Sequence, residues 1–170
     1  MIDISTVGAS VEIESTGLNG AIRITQFSDE GTPFECPDVD LSDNRKNLNG
    51  QMISSRTPSV YSVSVTVIPG SIEDLELARL AQKAALMPGS VSPIKDLTIS
   101  KITLKLPAIN ESGVNSGSRT FVWTHGRMKT APTGPSSSAD GRMAARTYTF
   151  EMERYKPASG SSYNVEAGMN

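Results

Sequence analysis

The chain has 170 residues, a net charge of −2 and no apolar run near the ~20 residues of a membrane-spanning helix, so we predict one soluble domain. Its single cysteine, Cys36, excludes an intrachain disulfide, and one cysteine with one histidine excludes a zinc site of the usual ligands. The first residues lack the basic and apolar segments of a signal peptide. We therefore expect no cleaved signal, no metal and no cofactor.

The first half of the chain is predicted to form short β-strands. Residues 21–25 alternate apolar and polar side chains, and residues 61–67 (YSVSVTV) do so most clearly. In the latter, the odd positions should pack on the core, and the even positions Ser62, Ser64 and Thr66 should lie on the other face. Weaker strands are predicted at residues 11–14, 39–42 and 51–54.

One helix interrupts this β pattern. Pro69 and Gly70 end the preceding strand, and Ser71 is a good N-cap for a helix over residues 72–87. On the helical wheel Leu77 and Leu80 lie opposite a charged stripe, so the leucine side should pack on the sheet.

The second half returns to strands. Residues 97–106 alternate with a change of phase, which predicts a bulge near Ser100 and Lys101, because a slip of one residue exchanges the two faces. Further strands are predicted at residues 120–124 and 146–153. Long loops are predicted at residues 28–37, 107–118 and 132–141. The fold class is thus mostly β, a sandwich or barrel with one flanking helix at about residues 71–87. We place a single domain at residues 1–156 and a flexible tail at 157–170.

The charge is divided along the chain. Residues 1–43 hold nine acidic residues and one basic residue, about −8, and residues 44–170 hold nine acidic and fifteen basic residues, about +6. This division has two interpretations, a chance scatter over one surface or an acidic and a basic face that attract each other between copies. The basic half is too broken by acids to indicate a nucleic-acid-binding protein.

Catalytic chemistry is poorly represented. His125 is the only histidine, and no sequence motif brings a serine and an acid to it, so we expect a surface histidine at a strand end. Residues 38–43 (DVDLSD) begin like a calcium loop but lack the glycine and glutamate that such a loop needs. We therefore predict a protein with no catalytic residues.

Several segments, taken in order, resemble bacteriophage tail tube proteins. They are residues 24–30 (ITQFSDE), 33–43 (PFECPDVDLSD), 48–50 (LNG), 65–71 (VTVIPGS) before the Leu/Ala-rich helix, and 141–153 (GRMAARTYTFEME). The resemblance is strongest over residues 22–84, weak over 107–118 and absent from the tail.

The resemblance implies hexameric rings that stack into a hollow tail tube, with double-stranded DNA passing through it to the host without specific binding. It also implies a virion protein assembled in the host cytoplasm, with tail sheath, baseplate and terminator proteins as partners and no membrane insertion. The tubes of type VI secretion are built on the same plan.

Within this hypothesis we assign three surfaces. An acidic stacking face is predicted from Asp29, Glu30, Glu35, Asp38, Asp40 and Asp43. Its basic partner face is predicted from Arg45, Lys46, Arg56, Arg127, Lys129, Arg142 and Arg146. The small polar side chains Ser62, Ser64 and Thr66 are the candidates for the lumen, and the alternative is that they face outward. The alternatives are a binding module for glycan or protein in a phage particle, a tube of a contractile injection system, and an enzyme that uses His125.

Overall fold

The computed structural model describes residues 8–29, 32–56, 58–84, 97–109, 115–137 and 140–159. The described strands are β1 (Ser10–Ser15), β2 (Ile22–Ile24), β3 (Phe34–Glu35), β4 (Ser42–Lys46), β5 (Met52–Arg56), β6 (Tyr61–Val67), β7 (Ile99–Ile109), β8 (Asn115–Thr130) and β9 (Arg146–Ser159). The described helix is α1 (Ile72–Lys83). No described helix has the length and apolarity needed to cross a bilayer.

Seven strands form one antiparallel sheet in the order β2-β1-β7-β8-β9-β6-β3, which curls into a half-barrel. Strands β4 and β5 form a separate hairpin. The prediction of a mostly-β fold with one flanking helix is confirmed.

Alternation of side chains defines the core face of β6 and of the first part of β9. In β6, Val63, Val65 and Val67 are buried, whereas Ser62 and Ser64 point to the opposite face and stay partly exposed. Tyr148, Phe150 and Met152 of β9 share the core face in the same way. The two faces predicted for β6 are therefore those of the structure.

Helix α1 covers the core face and is tied to two distant strands. Ser71 caps it by accepting a hydrogen bond from the Asp74 backbone N–H at 3.1 Å, as predicted. The Glu73 carboxylate accepts the backbone N–H groups of Thr25 and Gln26, both at 3.0 Å. Leu77 and Leu80 are buried in the core. The predicted helical residues 85–87 lie outside the described residues.

Asp74 fixes the first turn of the helix to β9. Its buried carboxylate accepts hydrogen bonds from the Tyr148 hydroxyl at 2.7 Å, the Gly70 N–H at 2.9 Å and the Arg146 guanidinium at 3.3 Å. A buried carboxylate needs such partners because desolvation alone would make its charge costly.

The sheet bends along one line that crosses three strands. Glu14 pairs with Lys101 but Ser15 pairs with Ile99, so Ser100 is the extra residue of a bulge. This confirms the bulge predicted there. Next to this bulge, His125 of β8 and Glu153 of β9 are the residues at which the ladder pairs of their strands are interrupted. His125 has a positive φ of 54°. We call Ser100, His125 and Glu153 the bend line.

The bend line divides the sheet into two halves. The β1 half comprises β1, β2, β7 from Lys101, β8 up to Thr124 and β9 from Arg154. The β6 half comprises β3, β6, β8 from Gly126 and β9 up to Met152. In each of the long strands, the last core-face residue before the line and the first one after it are three residues apart instead of two.

Several predictions of local structure are wrong, among them the loop at residues 28–37, which contains strand β3. Residues 107–118 were predicted to be a loop, but β7 runs to Ile109 and β8 begins at Asn115. Pro107 lies beyond Lys105, the last residue of β7 that pairs with the described part of β1, and proline is tolerated where a ladder ends. The predicted strand at residues 39–42 is replaced by β4, which begins only at Ser42. Strand β9 continues to Ser159, and the rest of the predicted tail lies outside the described residues.

Candidate assembly surfaces

The β4–β5 hairpin stands apart from the core. All ten of its strand residues are exposed, and it makes no strand pairing with the main sheet among the described residues. Met52 is 72% exposed and Ile53 57% exposed. Two isolated strands are at best marginally stable in water, so this hairpin has the composition and position of an arm that needs a partner.

A tight turn builds the tip of the hairpin. The Asn47 side-chain oxygen accepts the backbone N–H groups of Asn49 at 3.0 Å and Gln51 at 2.8 Å. Gly50 adopts a φ of 79°, which glycine tolerates without strain. The turn leaves Leu48 fully exposed at the tip. An apolar side chain held there by a well-bonded turn favours contact with another molecule.

An apolar groove of about 710 Å³ lies between the core face of the β1 half and the segment that leads to the hairpin. Trp123 stacks on Tyr155 with ring centroids 5.4 Å apart, and Tyr61 lies 5.6 Å from Tyr155. The remaining lining residues are Phe34, Cys36, Pro37, Asp38, Val39, Leu41, Leu104, Leu106 and Phe121. Desolvation, and to a lesser degree the charge of Glu35, raises the pKa of Cys36 to about 11. The thiol is therefore protonated and a poor nucleophile at neutral pH.

The predicted lumen residues lie together on the polar face of the β6 half. The Ser64 and Thr149 hydroxyls are 3.0 Å apart, and so are those of Thr66 and Thr147. Ser62 stands opposite Glu151, which forms an ion pair with Lys129. This part of the sheet thus offers mutually bonded hydroxyls, of which Thr66 is only 7% exposed, and a compensated charge pair with the exposed Arg127 beside it.

The predicted acidic face is found on an exposed segment. Asp29, Glu35, Asp38, Asp40 and Asp43 are all exposed, and Glu30 lies outside the described residues. Asp43 forms an ion pair with Arg45 at 2.7 Å within the hairpin. Asp38 and Asp40 make no ion pair with a described residue.

The predicted basic face is divided among several places. Arg45, Lys46 and Arg56 lie on the hairpin, close in sequence and space to Asp43. Arg127 and Lys129 lie on the polar face of the β6 half, beside Glu151, and Arg142 is exposed before β9.

Arg146 is engaged within the subunit. Its guanidinium bonds to Asp74 and to the Pro132 carbonyl oxygen at 3.2 Å, and its side chain is only 19% exposed. These seven side chains therefore do not share one surface.

Three other exposed basic residues are not part of the basic face predicted from the sequence. Arg23, Arg154 and Lys156 are exposed on the polar face of the β1 half. Arg23 could have been found, since it lies between the buried Ile22 and Ile24. Arg154 and Lys156 could not, because the alternation of β9 changes phase at Glu153, with Met152 before it and Tyr155 after it on the core face.

The candidate catalytic residue His125 has no catalytic partner among the described residues. His125 is exposed in the middle of β8 and not at a strand end, and it makes no hydrogen bond with a described serine or acid. No three described His, Cys, Asp or Glu side chains lie close enough to hold a metal ion.

The fold has counterparts in contractile injection systems. A chain of the extracellular contractile injection system PVC sheath–tube complex superposes with a TM-score of 0.54 and 14% identity, over 91% of this chain and 90% of that one. A chain of the PVC sheath/tube terminator gives 0.51 and 15%, over 91% and 95%. A chain of the anti-feeding prophage baseplate gives 0.50 and 11%, over 93% and 95%. At these identities the likeness concerns the fold alone.

The sequence comparison identifies the family. A search of curated protein sequences returned no significant match. The family model described as tail fiber protein gp32 matches residues 2–156, which is most of the chain. The resemblance to phage tail proteins seen in the sequence is thereby confirmed. The chain belongs to the tail fiber protein gp32 family and is a structural protein of a phage tail.

Proposed function

We propose that the protein polymerises with itself into the tail tube, as hexameric rings stacked around a lumen through which double-stranded DNA passes to the host. The observation that carries this proposal is the exposed β4–β5 hairpin. The curled sheet supports it, because the same fold occurs in a chain of a sheath–tube complex.

The hairpin supports self-assembly through its exposed apolar side chains. Leu48, Met52 and Ile53 project from an arm that the described core does not cover. Burying such side chains against a neighbour is favourable at about 25 cal/mol per Å² of apolar surface. A subunit that remained alone would leave this surface in water, so a neighbouring copy is the natural partner.

The edges of the main sheet support assembly in the same way. Edge strands β2 and β3 have only three and two residues, so among the described residues the ends of β1 and the start of β6 at Tyr61–Val63 lack a strand neighbour on that side. Unpaired strand edges are ready templates for strands of another subunit. Pairing across subunits would close the half-barrels into a continuous wall.

The β6 half supports the assignment of a lumen. A wall past which DNA slides should offer neither strong cationic sites nor unsatisfied donors, since phosphate contacts dominate the affinity for DNA. The hydroxyls of Ser64 and Thr66 are already bonded to Thr149 and Thr147. We therefore place Ser62, Ser64 and Thr66 on the lumen side.

The role is structural and involves no catalysis. Tail sheath, baseplate and tail terminator proteins are the expected partners, and the assembled protein resides in the virion tail after synthesis in the host cytoplasm. The family and the fold are those of tail components, which supports this reading.

The test is assembly of the purified protein. Wild-type protein should form rings or hollow tubes in negative-stain electron microscopy, alone or beside its tail partners. The Met52→Ser/Ile53→Ser variant should remain folded yet assemble poorly, because both side chains are exposed in the monomer. Ile72→Ser is the matched control, since Ile72 is 77% exposed but lies on the helix. Normal tubes from the hairpin variant would contradict the role given to the hairpin. A wild-type protein that forms no rings under any condition would contradict the proposal of a tube.

The family description favours a second candidate, a component of a tail fibre that binds a host glycan or protein. The two are distinguished by position in the particle. Antibody-gold label along the whole tail supports the tube, whereas label restricted to fibres supports the alternative. A tube in a contractile injection system would assemble in the same way.

A further inference from the structure

The polar face of the sheet carries very different charge in its two halves. In the β6 half, Arg127 and Lys129 are matched by Glu35 and Glu151. Among the described residues, the β1 half holds the basic residues Arg23, Lys101, Lys105, Arg154 and Lys156 but only the acids Glu12 and Glu14, with Glu153 on the bend line beside it. The surplus of positive charge therefore belongs to the β1 half alone.

Ion pairs within the subunit do not remove this surplus. Lys101 pairs with Glu14 at 3.1 Å and Lys105 with Glu12 at 3.4 Å. Both acids of this face are thereby occupied by lysines. Arg154 and Lys156 are exposed and make no ion pair with a described residue, and Arg23 is likewise exposed. Arg23 of β2 stands opposite Glu12, with three strands between β2 and β9, so we call Arg154 and Lys156 alone the basic strip.

The complementary charge lies on the other side of the same half. Asp38, Val39 and Leu41 line the groove on the core face, so the segment that bears Asp38 and Asp40 covers that face. The basic strip occupies the opposite face. With the sheet between them, the two charged surfaces of one subunit cannot pair with each other.

Resting on the proposed self-assembly, we infer that the basic strip of one copy docks against Asp38 and Asp40 of the next. Opposite charges on opposite faces generate a head-to-tail contact, which repeats into a ring or a filament and does not stop at a dimer. Each copy then offers one acidic and one basic surface to two different neighbours. Complementary charge of this kind sets the register and the rate of association more than the final affinity.

The test uses two charge-reversed variants. Asp38→Lys/Asp40→Lys presents two basic surfaces, and Arg154→Glu/Lys156→Glu presents two acidic surfaces. Each variant alone should need a roughly tenfold higher protein concentration for assembly, measured by sedimentation, because like charges then face each other at every contact. An equimolar mixture of the two should assemble again, with the variants alternating. Arg79→Glu reverses the charge of an exposed residue on α1. It is the control and should assemble like the wild type.

The dependence of assembly on ionic strength tests the same contact independently. The wild type should assemble less readily as ionic strength rises, since charges are screened within about 10 Å at 0.1 M salt. Each charge-reversed variant on its own should assemble more readily as the ionic strength rises. Normal assembly of both variants, or failure of their mixture, overturns this contact and leaves the tube intact.

A wild type and an Arg79→Glu control that both fail to assemble overturn the tube together with the contact. A basic-strip variant that assembles normally but retains less DNA would identify the strip as a DNA surface and overturn the contact.

Discussion

Asp74 shows how a single buried charge organises this fold. Its carboxylate is 1% exposed and joins the start of α1 to Tyr148 and Arg146 of β9. The Arg146 guanidinium also lies 6.0 Å from the centre of the Tyr148 ring. A group of this kind stabilises only while its partners are in place, because an unpaired buried carboxylate is costly.

Removing the Tyr148 hydroxyl should therefore destabilise the subunit. We expect Tyr148→Phe to lower the free energy of unfolding by about 1–3 kcal/mol, as for other buried hydrogen bonds to charged groups. Tyr155→Phe, at a more exposed ring, is the control and should change stability little. Urea denaturation at neutral pH measures both, and equal stability of Tyr148→Phe and the wild type would contradict the role given to this bond.

The same bond has a predicted pH dependence. Burial, reinforced by the hydrogen bond to Asp74, raises the pKa of Tyr148 well above its ordinary value. The folded state therefore holds this proton more tightly than the unfolded state does. The stabilisation is complete below the usual tyrosine pKa of about 10 and is lost as the pH rises above it. The stability advantage of the wild type over Tyr148→Phe should accordingly shrink above pH 10.

At the scale of elements, the bend line depends on a close contact between β8 and β9. A β-carbon at Gly126 would collide with the backbone oxygen of Glu151 and the side chain of Met152. We expect Gly126→Ala to cost about 1–3 kcal/mol in thermal unfolding, since the two strands must separate to admit it. Gly134→Ala is the matched control, because nothing lies within 4 Å of its added β-carbon. Equal melting temperatures for both variants would show that the strands yield freely.

Alternation predicted the strands well wherever one face is uniformly buried. Residues 61–67 gave both the bounds and the faces of β6, and Ser71 gave the start of α1. The strands β8 and β9 were predicted to end at residues 124 and 153, where the bend line interrupts their period. The pattern thus marks the bend but cannot show that the strand continues beyond it. The hairpin was misplaced because its strands have no buried face to impose a pattern.

At the scale of the whole molecule, the charge division was visible in the sequence but its surfaces were not. Asp38 and Asp40 were predicted to form part of an acidic surface, and the structure leaves them exposed. The basic residues that lie on the polar face of the β1 half come from strands far apart in the chain. Arg23 and Arg154 share that face only because β1, β7 and β8 join their strands, β2 and β9, into one sheet. Sheet order of this kind is set by long-range packing, which local patterns do not encode.

The central claim is that this subunit forms the wall of a tail tube. A cryo-electron microscopy reconstruction of intact tails tests it most directly. The account predicts six copies of this chain in each ring, hairpins β4–β5 buried against neighbouring copies, and Ser62, Ser64 and Thr66 facing the lumen. A tube wall built from a different chain, with this protein confined to fibres or the baseplate, would contradict it.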